Sequence, residues 1–402
     1  MEQTIDRLHA LFLRLLKSLP SGMERSLMQE INWDSRLIGI RGARGVGKTT
    51  LMLQYIRREL SGKLNKVLYV SLDSIWFSGN SLLELADTFH RQGGEYLFLD
   101  EVHKYPEWSV ELKNIYDGYP DLRVVFTGSS LLDILNSRAD LSRRAVSYNL
   151  QGLSFREFME LQTGTKLPRM TLPEILYPNE EIFSAWPDSV KPLTWFREYL
   201  KTGYYPFFRE QPDTYYQKIR EITNMILEIE LPLLRKVEVS YVYRIRQLLN
   251  IISQSVPFVP NISALSAKMG IERSTLLAYL HYLEEVKLSL NLYKEAGGVS
   301  KLQKPQKIYL ENPNLYFALA GESGNIGAIR ETFFANQVSY RHTIQYSERG
   351  DFRVDEQFTF EIGGANKTRR QIHDLADSWV VSDDIEWGRN NKIPLWMFGC
   401  LY

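Results

Sequence analysis

The chain has 402 residues, too many for one ordinary hydrophobic core, and its 44% apolar and 24% charged content is that of a folded chain. Lys plus Arg equal Asp plus Glu at 48 each, so the whole molecule creates no strong field toward nucleic acid or an anionic membrane, and any such binding must come from a local patch. The single cysteine, Cys400, excludes a disulfide framework or a cysteine-based zinc site and points to a reducing compartment; the six histidines lack zinc-ligand spacing.

The start, Met1 to Pro20, places leucines at helical spacing among Asp6, Arg7, Arg14 and Lys17, which predicts an amphipathic helix of the fold rather than a leader. No apolar run approaches the ~18 residues that span a bilayer. The expectation is a cytoplasmic protein with no membrane partner. Next comes an apolar strand-like run, Leu37-Ile38-Gly39-Ile40, then Gly42-Ala43-Arg44-Gly45-Val46-Gly47-Lys48-Thr49, then a helical run from Thr49 to Leu60. Strand, glycine loop and helix in that order are the context in which G-x-x-x-x-G-K-T cradles a polyphosphate. The glycines turn backbone N–H groups inward, and the helix presents its positive end. The binding residues are therefore Gly42, Ala43, Arg44, Gly45, Val46, Gly47, Lys48, Thr49 and Thr50. Lys48 is expected to reach the β- and γ-phosphates, and the Thr49 hydroxyl to bind Mg²⁺.

Val67 to Ser71 reads as a strand and Ser81-Leu82-Leu83-Glu84 as a capped helix start. Tyr96-Leu97-Phe98-Leu99-Asp100-Glu101 reads as a buried parallel strand that ends in two acids at its carboxyl edge, where ligands of open α/β sheets sit. Asp100 is expected to hold Mg²⁺ through water, and Glu101 to polarise the attacking water as general base. After the strand Arg123 to Thr127, a polar side chain would lie between the γ-phosphate and that water. Thr127 is the first candidate and Ser129 the second; alternatively Thr127, Ser129 and Ser130 form a turn and cap a helix near Leu131. A fifth strand is expected at Ala145 to Leu150. The arginines before it, Arg143 and Arg144, either meet the γ-phosphate of a neighbouring subunit or are a solvated pair. The alternation of strand and helix over the first ~165 residues predicts a parallel three-layer sheet.

The phosphate loop, Asp100-Glu101, Phe126-Thr127-Gly128-Ser129-Ser130 and Leu150-Gln151-Gly152-Leu153-Ser154-Phe155-Arg156-Glu157-Phe158 together resemble a prokaryotic AAA+ ATPase family. Its members join an amino-terminal AAA+ module to a carboxyl-terminal domain of unknown function similar to a restriction-endonuclease fold. The resemblance implies an AAA+ sheet with strand 1 central, ATP as substrate, hydrolysis coupled to movement, and an arginine finger acting in trans within a homo-oligomer. The family segment Leu-x-Gly-Arg stands here as Leu141-Ser142-Arg143-Arg144, so Arg144 matches the family arginine and is the better finger candidate, Arg143 replaces the glycine, and which of the two acts stays open.

Four domains follow: a P-loop AAA+ nucleotide-binding domain at 1–165, a helical lid region at 190–255, a winged-helix-like domain at 256–300 and a small α/β endonuclease-like domain at 310–402. Thr163 to Pro192 reads as an irregular connection. Asn261 to Val286 has helix–turn–helix spacing around Gly270, but its second helix offers only Arg273 and His281 to bases or phosphates and ends in Glu284-Glu285. A structural or protein-contacting role is the leading expectation there, with weak DNA binding as the alternative. By resemblance Glu331, Asp351 and Glu361 match the three endonuclease acids. The lysine position is Gly363, which breaks the pattern unless Lys367 swings in. This domain is expected to bind or assemble rather than cut, and Lys367, Arg369 and Arg370 either touch phosphates or form a solvated surface. The whole reads as an ATP–Mg²⁺ hydrolase acting on nucleic acid or a partner protein; the alternatives are a slow nucleotide-loaded switch or scaffold, and a DNA-binding regulator.

Overall fold

A computed structural model describes residues 2–20, 22–129, 141–178, 186–187, 190–210, 212–235, 238–294, 303–321 and 325–402. Ser130 and the helix expected near Leu131 lie outside the described residues. The chain divides into two compact units, Met1–Gly152 and Leu153–Tyr402. The first break thus falls at Gly152 rather than 165, and the segments expected as lid, winged-helix-like and endonuclease-like domains share the second unit. The reason is visible in the helix α5 (Phe155–Thr163), whose buried Phe155 and Phe158 pack on Tyr199 of the second unit.

The first unit is built on five parallel strands: β1 (Leu37–Arg41), β2 (Val67–Ser71), β3 (Tyr96–Asp100), β4 (Arg123–Gly128) and β5 (Val146–Asn149). Their order is β2-β3-β4-β1-β5. β4 therefore stands in the middle and β1 one place off it, which corrects the central position expected of strand 1; β5, half exposed, closes the edge beyond β1. Leu97, Phe98 and Leu99 of β3 are all fully buried, as parallel strands covered on both faces require. The covering helices are α1 (Glu2–Ser18), α2 (Lys48–Glu59), α3 (Leu82–Arg91) and α4 (Trp108–Gly118). α1 buries Ile5, Phe12 and Leu16 and exposes Leu11 and Leu15, the one-sided pattern its spacing predicts. Ser81 caps α3 by accepting from the amides of Leu83 and Glu84. Because the strands run the same way, the carboxyl ends of β1, β3 and β4 lie along one sheet edge.

In the second unit, Ser154 and Glu157 form the expected capping box at the start of α5. The connection after it holds a short helix, Leu172–Leu176, with its own capping box from Thr171 and Glu174, a turn the sequence reading took as irregular. Helices α6 (Tyr215–Met225), α7 (Val239–Ser253), α8 (Ile262–Met269) and α9 (Arg273–Glu285) follow, and Gly270, in the left-handed region at φ 63°, makes the α8–α9 turn. β6 (Ser289–Leu292) and β7 (Lys307–Leu310) form an antiparallel pair. After α10 (Pro313–Ala320) and α11 (Ile326–Ser339) comes a mixed sheet of β8 (Ile344–Tyr346), β9 (Phe352–Val354), β10 (Phe358–Gly363), β11 (Ser378–Ser382) and β12 (Lys392–Pro394), in the order β12-β11-β10-β9-β8. β10, β11 and β12 run parallel and β8, β9 and β10 antiparallel. Among the described residues no helix is long and apolar enough to cross a membrane.

Candidate functional site

The phosphate loop joins the end of β1 to the start of α2. Gly45 and Gly47 hold φ of 83° and 97°, which side-chain-bearing residues rarely adopt, and a Cβ at Gly42 would stand 2.2 Å from the Leu150 carbonyl oxygen. The loop therefore needs glycine for two separate reasons, backbone sign and backbone proximity. The Lys48 ammonium donates to the carbonyls of Gly42 (2.9 Å) and Ala43 (3.1 Å), across the mouth of the loop.

Asp100, at the carboxyl end of β3, is the centre of the site. It is 3% exposed, and three hydroxyls donate to its carboxylate: Thr49 at 2.6 Å and Tyr69 at 2.8 Å on Oδ2, and Thr127 on Oδ1. Neutral donors leave the carboxylate its charge, so the group stays available to a cation. Burial and the Asp100 charge together push the Tyr69 hydroxyl well above the ordinary tyrosine range, which keeps it a donor at any working pH. Thr127 also accepts from the Glu101 amide at 3.1 Å, so its hydroxyl faces the two acids. The hydroxyl expected between the γ-phosphate and the attacking water bonds Asp100 and the Glu101 backbone here. Ser129 is buried at the same edge.

Glu101 sits at φ 54°, an uncommon left-handed conformation for a residue with a side chain, of the kind found where a site fixes its backbone. Its carboxylate lies 3.4 Å from Nε2 of His103, whose ring is almost fully buried. Arg144 stands just before β5, at the amino edge of the sheet, whereas Lys48, Asp100 and Thr127 lie at the carboxyl edge. Strands of four or five residues separate the two edges by roughly 13 Å. Arg144 is not brought to its own chain's site, and its guanidinium pairs with Asp117 through two bonds of 2.8 and 3.0 Å. Arg143 is exposed beside it.

Three residues of this region had no motif to announce them. Tyr69 and His103 are two. The third is Arg25, 7% exposed, whose guanidinium donates to Val46 O in the loop (2.7 Å) and to Gln151 O and Gly152 O (both 2.8 Å). It ties the loop to the segment that follows β5. The only sequence signal was an arginine outside any charged run.

The second unit also gathers charged groups. Tyr309 donates to Glu331 at 2.6 Å, the Ile362 amide donates to Asp351 at 2.8 Å, Lys307 lies 3.6 Å from Asp351, and Lys367 lies 2.5 Å from Glu361. Glu361–Gly363 is the end of β10. Lys367 does reach in: its Cβ, Cγ and Cδ lie 2.6–2.8 Å from where a Cβ at 363 would stand, so the glycine makes room for the lysine stem. Burial, then the Asp351 charge, raises the Glu331 carboxyl to about 7, and burial raises Glu361 too. Among the described residues no set of three His, Cys, Asp or Glu side chains is arranged to hold a metal.

The α9 helix, considered above for DNA, packs its far end against its neighbours. Arg235 pairs with Glu285, its guanidinium lies 5.4 Å from the Tyr282 ring centre, and His281 lies 3.0 Å from Glu285. Exposure is confined to Glu272, Arg273 and Ser274 at its start.

Comparison with known proteins follows the division of the chain. Residues 34–159 match the family model of an AAA domain, and residues 193–325 match a domain of unknown function, DUF8612. The chain is 27% identical over 392 residues to the uncharacterized protein MJ1637 of Methanocaldococcus jannaschii, covering 90% of this chain and 82% of that one. Among solved structures it is similar to the Orc1 protein of Aeropyrum pernix in complex with DNA (13% identity, TM-score 0.32, 78% of this chain and 92% of that one). It is also similar to AMPPCP-bound DnaA of Aquifex aeolicus (13% identity, TM-score 0.24, 69% and 88%). Superpositions this loose carry no functional argument, so the assignment rests on the sheet order, the loop and the matched family model. On those grounds residues 34–159 form a P-loop domain of the AAA type.

Proposed function

We propose that this chain is an ATP hydrolase whose nucleotide state is passed from the AAA-type domain to the second unit. The observation that carries the reading is the buried Asp100 carboxylate, held by Thr49, Tyr69 and Thr127 and neutralised by no cation among these partners. The residues fit a triphosphate and its metal: a loop of left-handed glycines opens α2, and Thr49 and Asp100 form a hard oxygen pair suited to Mg²⁺. When bound, Mg²⁺ would supply charge neutralisation across the β- and γ-phosphates. Lys48 would move from the loop carbonyls to the same oxygens. Glu101 would take a proton from the attacking water as the water oxygen bonds to the γ-phosphorus and the bond to ADP breaks, giving ADP and phosphate. Thr127 would report on this through Asp100 and the Glu101 amide. The arginine finger would come from Arg144 of a second copy, after release from Asp117, because the sheet separates Arg144 from its own chain's site.

The test is calorimetry and turnover on Lys48→Ala and Glu101→Gln. Lys48→Ala should lose ATP binding at the phosphate loop; equal ATP stoichiometry and affinity in wild type and variant ends the reading. Glu101→Gln should keep binding while turnover falls by about 10²–10⁴. The 3.4 Å approach of His103 to Glu101 favours a second reading, a switch with slow basal turnover that a partner accelerates.

For the second unit we infer binding or assembly rather than cleavage. Glu361 is held by Lys367 and Asp351 faces Lys307, an arrangement that favours occupied acids over a metal cage. The α8–α9 pair with β6 and β7 supports a winged-helix-like element, and the packing of α9 on Arg235 favours a protein contact over a DNA-reading one.

A further inference from the structure

The second unit holds two neighbouring cavities that the nucleotide reading does not use. One, of about 530 Å³, is walled by Lys367, Arg369, Arg389 and Lys392 together with Thr368 and the asparagines 390 and 391, with no acid among its lining residues. Its side chains are set by the sheet: Glu361, Val380 and Lys392 stand in register across β10, β11 and β12, so they share one face. Among the described residues Lys367 is the one cation of the four that has a carboxylate partner, Glu361. Arg369 donates to Ser378 Oγ (2.6 Å) and Leu375 O (3.4 Å), and Lys392 donates to the carbonyls of Ala365 and Lys367. Those partners are neutral oxygens, so they position the cations without cancelling them. The Arg369 Nε is buried with no partner, and the Arg389 side chain is exposed. Three positive charges on one concave wall with no carboxylate partner among the described residues call for an anion with several oxygens, and guanidinium forks match phosphate in particular.

The second cavity, of about 360 Å³, shares Arg389, Asn390 and Lys392 with the first. Its remaining wall is of another kind, with Ile175, Tyr177, Pro394 and Met397. Tyr177 is 62% exposed, and its ring meets Trp379 in a perpendicular contact at 5.8 Å between centres, which holds the ring while most of it stays open. A cationic chamber opening beside an apolar, aromatic one suits a ligand with a phosphate end and a flat apolar end. Cavities of this size hold small ligands, roughly 300–1,000 Å³ being usual.

We propose that this pair of cavities binds a phosphorylated ligand with a planar ring, of mononucleotide size, using no residue of the phosphate loop. The phosphates lie against Arg369, Arg389 and Lys392, and the ring lies against Tyr177. ADP and pyrophosphate are the probes, titrated into full-length Lys48→Ala protein so that the loop is silent. ADP is expected to bind this variant at one site, with affinity falling as salt rises. Arg389→Gln should weaken both probes about tenfold, the size of one lost charge-assisted bond. Tyr177→Ala should weaken ADP about fivefold or more and leave pyrophosphate unchanged, since only ADP has a ring to stack. The Arg389 side chain makes no hydrogen bond or ion pair among the described residues, so Arg389→Gln keeps the fold, and thermal melting verifies it. The proposal is overturned if Lys48→Ala binds no ADP at millimolar concentration, if Arg389→Gln changes nothing, or if a short oligonucleotide binds where ADP does not. Failure of the hydrolase reading looks different: wild type and Lys48→Ala would then bind ADP with the same stoichiometry.

Discussion

Two sheets in this chain end in carboxylates, and they treat them in opposite ways. At the edge of the first sheet Asp100 is surrounded by the hydroxyls of Thr49, Tyr69 and Thr127. Around the second sheet Lys367 holds Glu361, Lys307 of β7 faces Asp351, and Glu331 of α11, beside Asp351, rises to about 7. A hydroxyl orients a carboxylate and leaves its charge for an incoming cation. A lysine neutralises it, and burial without a cation protonates it. The difference teaches that three acids in proximity do not make a metal site; what matters is which groups satisfy them first.

The sharpest way to break this comparison is to remove the charge at Asp100. Asp100→Asn keeps the shape, but its amide nitrogen must meet hydroxyls that now donate to the carboxylate. Turnover should fall about 10³-fold, in the range of lost electrostatic stabilisation at a reacting phosphoryl group. Residual turnover near wild type would show that the hydroxyl-ringed acid is structural.

The matching change beside the second sheet is Glu331→Gln, on α11. The folded Glu331 holds its proton to about 7 and the unfolded one only to about 4.5, so the folded state binds more protons between these values. Stability contributed by this group therefore falls as pH rises from about 4.5 to about 7. Glutamine removes the buried charge and still accepts from Tyr309. We expect a higher melting temperature than wild type at pH 8, by on the order of 2–3 kcal/mol in stability, and no gain at pH 4.5. A loss at pH 8 would mean that the charge of Glu331 is useful after all.

A finer test separates orientation from charge. Tyr69→Phe leaves the Asp100 carboxyl group in place but removes one of its three donors. Loss of one hydrogen bond to a charged group is worth about 1.5 kcal/mol or more, so the Mg²⁺ concentration for half-maximal turnover should rise about tenfold. An unchanged Mg²⁺ midpoint with a lowered melting temperature would reduce Tyr69 to a packing role.

What was legible in the sequence follows the same divide. The phosphate loop, β3 with its acids and the capping box at Ser154 are contiguous in the chain, so their chemistry is written in one run of residues. Tyr69 was not legible, because its role depends on β2 lying beside β3 with Tyr69 opposite Phe98, two residues short of Asp100 on the same face. Arg25 acts on carbonyls as distant in sequence as Gly152. In the second unit β8 and β12 have three residues each, too short to show an alternation, and the lysine beside Glu361 comes from a loop rather than from its own strand. Local grammar writes out the loop and the acids that stand in one run of residues. The approach of Lys367 to Glu361 stays an open alternative in the sequence, because only the fold brings the two together.

The smallest effect concerns a third arrangement, in which acids are paired by a group that titrates. The carboxylates of Glu284 and Glu285, 3.7 and 3.0 Å away, raise His281 to about 9, with Arg235 bound to the same Glu285. The folded value exceeds the unfolded one, near 6.5, so the stabilisation is complete below about 6.5 and is lost as pH rises through about 9. The group is partly solvated, which limits the size of the effect. Melting of the wild type should therefore decline slightly more between pH 6.5 and 9 than melting of His281→Gln, which cannot titrate. Parallel curves across that window would show that Arg235 alone satisfies Glu285, and that this end of α9 is held by the lysine-like logic of the second sheet rather than by a proton.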